Sequence, residues 1–282
     1  MTARELTLPQ AASAPWRPAA SLWVSAGVHV VGVATVAAAP EFWPVVGATV
    51  VGNHLLLTGA GLWPRSRLLG PNLVRLPEAS ARRREVALTF DDGPDPAVTP
   101  KVLDLLDAYG VRASFFCVAA TAAQYPGLTR EIVRRGHSVE NHSLRHSVHF
   151  GWYGIGRLRR EIAAAQQILS AITGRTPLFF RAPFGTRSPL LDPALARFGL
   201  RYVSWTRRGY DTVASDPSRV VQRLTRALAA GDILLLHDGR AAGRTRATSM
   251  TLAVLPPLLE RIAAAGLVPV TLPAACALAS AR

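Results

Sequence analysis

Lysine is almost missing from this sequence: of 32 basic residues, only Lys101 is not an arginine. Phosphate-binding surfaces normally draw on both basic residues. The arginines are also scattered in short groups, such as Arg134–Arg135 and Arg207–Arg208, with no nucleic-acid motif around them. The formal charge of +14 therefore points to solvated faces and affinity for acidic membranes, and no nucleic-acid partner is expected. Cysteine is scarce as well. Cys117 and Cys276 allow one disulfide at most, which excludes a disulfide-built fold. The glycine-rich dinucleotide fingerprint is absent too.

Charge itself is missing from two long runs, Pro18 to Pro40 and Phe42 to Pro64, with Glu41 alone between them. Each run is about the roughly 20 residues a membrane helix needs. The sequence predicts an N-terminal transmembrane helical hairpin over 1–64, with helices at about 20–39 and 45–63. Arg4 and Arg17 precede it, and Arg65, Arg67 and Arg75 follow. The positive-inside rule then puts both ends in the cytoplasm of a bacterial cell, with the hairpin in the inner membrane. A signal peptide ending at VAAAP is the alternative, although the following proline opposes cleavage. His29, Asn53 and His54 lie at mid-helix depth, where polar groups seek one another. Residues 65–84 read as a basic linker along an anionic membrane surface.

From residue 85 to 282, strand-like and helix-like runs alternate. EVALTF, ASFFCVA, HSVEN, LFFRAP, LRYVSW, DILLLHD and LVPVTL read as strands, with amphipathic helices or loops between them. This predicts an α/β fold, a distorted (β/α) barrel of about seven parallel strands.

Polar residues gather where such strands end. Asp91 and Asp92 close the first, NHSLRH follows the third, Arg181 ends the fourth, Trp205 and Asp211 follow the fifth, and His237 ends the sixth. Active sites of these barrels form at that face. His142 and His146, spaced i, i+4, suit one side of a helical turn. With one carboxylate they make a three-ligand set that zinc or ferrous iron accepts. His149 is an alternative partner. One aspartate of the pair would bind the ion, and its neighbour would be free to take a proton from water. Spacing alone leaves open which does which.

At these residues the sequence resembles the polysaccharide deacetylase family, also called the NodB-homology domain or carbohydrate esterase family 4. The resemblance runs from about Glu85 to Leu272 through TFDDGP, HSLRH, RAPFG, SWTRRGYD and LLLHD. It implies a divalent metal, zinc first, and hydrolysis of an N-acyl, usually N-acetyl, group from an amino sugar. It implies Asp91 as general base, Asp92, His142 and His146 as metal ligands, and Arg181 as the group that steadies Asp91. His237 becomes the acid for the leaving amine, with Asp211 holding it. A backbone N–H near Phe184 would meet the oxyanion, and Leu236 and Trp205 would wall the acyl pocket. Two departures stand out: the family usually carries aspartate where Arg208 stands and tryptophan where Thr212 stands. Arg207 and Arg208 could meet an anionic substrate.

A cytoplasmic catalytic domain would suit a lipid-linked sugar precursor. An external one would suit peptidoglycan or exported polysaccharide. A catalytically silent sugar-binding module would be expected to show gaps in the residue set, and none is seen. A ferrous oxygenase would leave Asp91 and His237 without a task.

Overall fold

The computed structural model describes residues 16–239 and 247–277. Two apolar helices come first, α1 (Ala20–Ala38) and α2 (Trp43–Leu62), separated by one 3-10 turn at Pro40–Phe42. Pro40 has no N–H to continue α1 and keeps Ala39 out of the helical region, so the helix stops there. The two helices pack antiparallel, with Ser25 beside Asn53 and His29 beside His54. His29 Nε2 lies 3.2 Å from His54 Nε2. Asn53 donates instead to Ser25 Oγ, at 2.8 Å. Trp23, Val30, Val33, Trp43 and Leu55 stand exposed on the outer faces.

The rest of the chain builds a wholly parallel, strongly curved sheet. Its strands are β1 (Glu85–Asp91), β2 (Ser114–Cys117), β3 (Ser138–Asn141), β4 (Phe179–Phe180), β5 (Arg201–Tyr202), β6 (Arg207–Arg208), β7 (Ile233–His237) and β8 (Val268–Val270). The order is β5-β4-β3-β2-β1-β7-β6, with β8 pairing the start of β1. The parallel α/β architecture expected from the strand–helix alternation is what forms.

The central strands are buried on both faces, and their side chains alternate between two cores. Leu88 and Phe90 of β1, with Leu234 and Leu236 of β7, face the outer layer of α4 (Thr99–Ala108), α5 (Ala119–Gln124), α6 (Pro126–Arg134), α9 (Pro217–Thr225) and α10 (Ala247–Ala264). Ala87 and Ile233 face inward, against Phe116, Phe179 and Val203. A further cluster lies under α7 (Ile155–Thr173) and α8 (Leu191–Ala196). Cys117 and Cys276 are both buried and free.

Two features differ from expectation. The run LRYVSW is not one strand. Its first residues pair with β4, and the chain then crosses to pair with β7 as β6. One continuous segment thus touches both edges of the open sheet. Residues 65–84 are not a free linker either. Leu73 N donates to Tyr202 O and Ser204 N to Leu73 O, both at 3.0 Å, and Leu76 N donates to Gly231 O at 2.8 Å. Leu69 and Leu76 are buried, and Arg75 pairs with the buried Asp232 at 2.7 Å. The segment fills the gap that β5 and β6 leave, and ends in α3 (Glu78–Arg82). The folded unit therefore starts before residue 85, because apolar Leu69, Leu73 and Leu76 are interleaved with the arginines.

Candidate active site

The polar strand ends converge on one cavity of about 360 Å³, lined by Asp91, Asp92, His142, His146 and His237 among others. The turn after β1 places the aspartate pair. Asp91, the last strand residue, points inward in register with His237. Asp92 leaves the strand with φ 72°. Gly93 follows because a Cβ there would lie 2.5 Å from both carboxylate oxygens of Asp238. Asp238 in turn accepts from Thr99 Oγ1 at 2.6 Å, which ties the turn to the start of α4. Burial pushes the Asp238 carboxyl up to about 7.

His142 and His146 do not sit on a helix. They sit on a turn in which Ser143 and His146 both have positive φ (69° and 49°). Asn141 Oδ1 accepts from Ser143 N, and Ser143 Oγ accepts from His146 N, so local side-chain bonds replace helical ones. The result still aims both rings at Asp92. Asp92 Oδ1 lies 3.2 Å from His142 Nε2 and 3.1 Å from His146 Nε2. His149 is exposed and lies outside this cluster.

The donor set suits a divalent cation. Asp92 Oδ1 is buried with no hydrogen-bond partner, and one ligand atom from each residue lies within 4.8 Å of the others. His142 Nδ1 bonds the Arg181 carbonyl at 2.9 Å, which fixes the proton there and leaves Nε2 as a lone pair. Burial, then the neighbouring His142, push His146 down to about 4, so its ring is neutral at pH 7. Carboxylate and two imidazoles match zinc or a similar ion.

Two charged pairs flank that cluster. Arg181, fully buried, donates from Nη1 to Asp91 Oδ1 at 2.7 Å and to Thr89 Oγ1 at 2.9 Å, and from Nη2 to Ser204 O at 2.9 Å. His237 Nδ1 pairs with Asp211 Oδ1 at 3.0 Å. Asp211 Oδ2 accepts from His237 N at 2.8 Å and from Thr251 Oγ1 at 3.1 Å. Burial opposes charge on His237, but Asp211, Asp92 and Asp91 outweigh it and raise the imidazole to about 9.

Phe184 and Trp205 line the cavity. Phe184 holds φ 58° and packs its ring 4.7 Å from that of His146. Leu236 does not line it. Side chains alternate along a strand, so Leu236 faces the outer helical layer while Leu235, on the same side as His237, lines the cavity. The same alternation separates Arg207 from Arg208. Arg207 bonds Asp232 at 2.9 Å and the carbonyls of Arg226 and Ala227. Arg208 and Thr212 line the cavity. Thr251, which supports Asp211, carries no signal in the sequence, because it lies on α10 with no motif around it. Tyr210 and Val213 also border the cavity, and their place within SWTRRGYDTV is the available signal.

The sequence profile of the polysaccharide deacetylase family matches residues 78–203. That stretch holds Asp91, Asp92, His142, His146 and Arg181, while Asp211 and His237 lie beyond it. A chitooligosaccharide deacetylase of Bradyrhizobium sp. (strain ANU 289) is 34% identical over 187 residues, covering 63% of this chain and 85% of that protein. A peptidoglycan-N-acetylglucosamine deacetylase of Bacillus cereus is 30% identical over 187 residues, covering 66% of this chain and 84% of that protein. A solved family 4 carbohydrate esterase from Streptomyces lividans, in complex with acetate, aligns with a TM-score of 0.60 at 34% identity, covering 66% of this chain and 91% of that one. With the residue set and the parallel fold both in place, the chain belongs to the polysaccharide deacetylase family, hydrolases of the amide bonds of N-acetyl sugars.

Proposed function

We propose that this protein is a metal-dependent enzyme that removes the N-acetyl group from an amino sugar, held at the membrane by its N-terminal hairpin. One observation carries the reading: the Asp92–His142–His146 donors share a cavity with a buried carboxylate paired to arginine and an imidazole paired to carboxylate. A divalent ion bound by those three residues would polarise the acyl carbonyl and make a bound water more acidic. Asp91, oriented by the Arg181 hydrogen bond, takes the proton from the attacking water. A backbone N–H near Phe184 would meet the oxygen that gains charge. His237, protonated at neutral pH, gives its proton to the departing amine, which cannot leave as an anion. Asp211 fixes the tautomer and keeps the ring charged.

The relatives named above act on chitooligosaccharide or peptidoglycan, so an N-acetylglucosamine unit is the starting substrate. The placement of α2 supports a lipid-linked form of it. Arg187 N donates to Gly61 O at 2.9 Å, and a Cβ on Gly61 would collide with the Arg187 carbonyl. Pro64 O accepts from Ser204 Oγ at 2.6 Å, beside the cavity residue Trp205. The end of the hairpin is thus built into the rim of the cavity. Exposed Trp63, Leu62, Phe184, Tyr210 and Val213 add apolar surface of the kind a lipid interface covers. The arginine distribution favours a cytoplasmic catalytic domain, where lipid-linked precursors are within reach.

The test is acetate release from N-acetylglucosamine oligosaccharide and from a lipid-linked N-acetyl sugar by the full chain in detergent. Activity is expected to vanish on chelation and return with zinc or cobalt. Turnover that survives complete metal removal refutes the mechanism. A C-terminal topology reporter active only outside the cytoplasm would redirect the substrate to peptidoglycan or exported glycan.

A further inference from the structure

We propose that Arg208 is the receptor for a phosphate ester carried by the substrate, so that the enzyme selects phosphorylated amino sugars. The proposal rests on the reading above for where the sugar lies. Arg208 is in β6, in register with Leu235, and both line the cavity. It is half-buried. Its guanidinium sits 5.4 Å from the Trp205 ring and 4.9 Å from the Tyr210 ring. Such ring contacts satisfy none of the guanidinium N–H donors, which need an acceptor elsewhere.

Among the described residues, none meets those edges with negative charge. No carboxylate there lies within 4.0 Å of Arg208, and its Nε is buried with no hydrogen-bond partner. The two acids that line the cavity are committed elsewhere, Asp91 to Arg181 and Asp92 to the two histidines, and the buried Asp211 behind it is held by His237. The neighbouring Arg207 shows the contrast, since Asp232 and two carbonyls hold it. Arg223, 5.8 Å from the Tyr210 ring, adds to the positive field. A half-buried cation without a counter-charge is costly unless an anion arrives. A phosphate offers two oxygens at the spacing of the guanidinium fork.

The experiment measures binding by calorimetry to the full chain in neutral detergent. The probes are N-acetylglucosamine 1-phosphate and uncharged N-acetylglucosamine. Wild type is expected to bind the phosphorylated sugar about tenfold or more tightly. Arg208→Gln is expected to erase that ratio, and Arg208→Lys to keep part of it, with thermal midpoints near wild type as the check on folding. Equal wild-type affinities for the two sugars overturn the proposal, as does a ratio that persists in Arg208→Gln. If Arg208→Gln instead weakens binding to phosphatidylglycerol vesicles and leaves the sugar ratio intact, the cation reads lipid headgroups and the substrate assignment is wrong. Binding is read without turnover, so a chain that binds as expected but releases no acetate would refute the deacetylase mechanism and leave this inference standing.

Discussion

Replacing His137 with asparagine should make the fold less sensitive to acid. His137 is buried just before β3, where its Nδ1 accepts a hydrogen bond from Ala113 N at 3.1 Å. Protonating that nitrogen destroys the bond and puts a charge beside Phe115. Burial, and then the nearby Arg112, push the imidazole down to about 4. The unfolded chain takes up its proton near 6.5. Between those values the unfolded state holds more protons than the folded one, so stability falls as pH drops from about 6.5 to about 4. The gap of roughly 2.5 units corresponds to roughly 3 kcal/mol. In a domain of this size that is about 6–12 °C in thermal midpoint. The asparagine amide can offer its oxygen to Ala113 N but cannot take the charge. The assay is the thermal midpoint of wild type and His137→Asn, followed by tryptophan fluorescence in detergent from pH 7.5 to 4. The wild-type midpoint should fall relative to that of His137→Asn as pH drops from about 6.5 to about 4. Parallel curves would refute the reasoning, because the pH dependence would then belong to other groups.

Other outcomes follow from the site. Asp91→Asn should lower kcat by about 10²–10⁴ with zinc content unchanged, since the residue is assigned to proton transfer and not to the ion; loss of metal in that variant would reverse the roles of the two aspartates. Asp92→Ala should lose the bound metal, read by elemental analysis of the purified chain. Leu235→Ala should change KM and acyl-chain preference with a modest effect on stability, whereas Leu236→Ala should cost about 2–5 kcal/mol of stability and leave acyl preference alone. Gly61→Val should push α2 away from Arg187 and lower activity without loss of metal; unchanged kinetics would show that the hairpin does not position the rim.

The residues of the candidate site could be picked out because they are grouped locally in the sequence. Asp91 and Asp92 stand at a strand end, His142 and His146 four residues apart, and His237 closes a run of leucines. Distance along the chain hid the rest. Thr251 reaches Asp211 from a helix 40 residues on, and nothing near it announces that task. The placement of Leu236 failed by a single position, since a strand's period of two sends neighbours to opposite faces and the motif alone does not reveal which leucine shares a face with His237. The turn carrying His142 and His146 looked helical by spacing, yet Asn141 and Ser143 bond the backbone into a non-helical shape that reaches the same convergence. Residues 65–84 read as a linker because their arginines dominate the composition, while three interleaved leucines decide where the segment packs.

That segment also fixes the order in which the barrel can be finished. Residues 72–76 emerge from the ribosome directly behind the hairpin, but the carbonyl that Arg75 binds, on Ala230, is made 155 residues later. At about 5–20 residues per second the wait is on the order of ten seconds. Leu73 has no edge to join until Tyr202 and Ser204 are made, and Leu76 none until Gly231. With the hairpin inserted as proposed, the contacts that cover the sheet's open edge form on a segment continuous with α2, so the catalytic unit is completed beside its anchor and not delivered there afterwards.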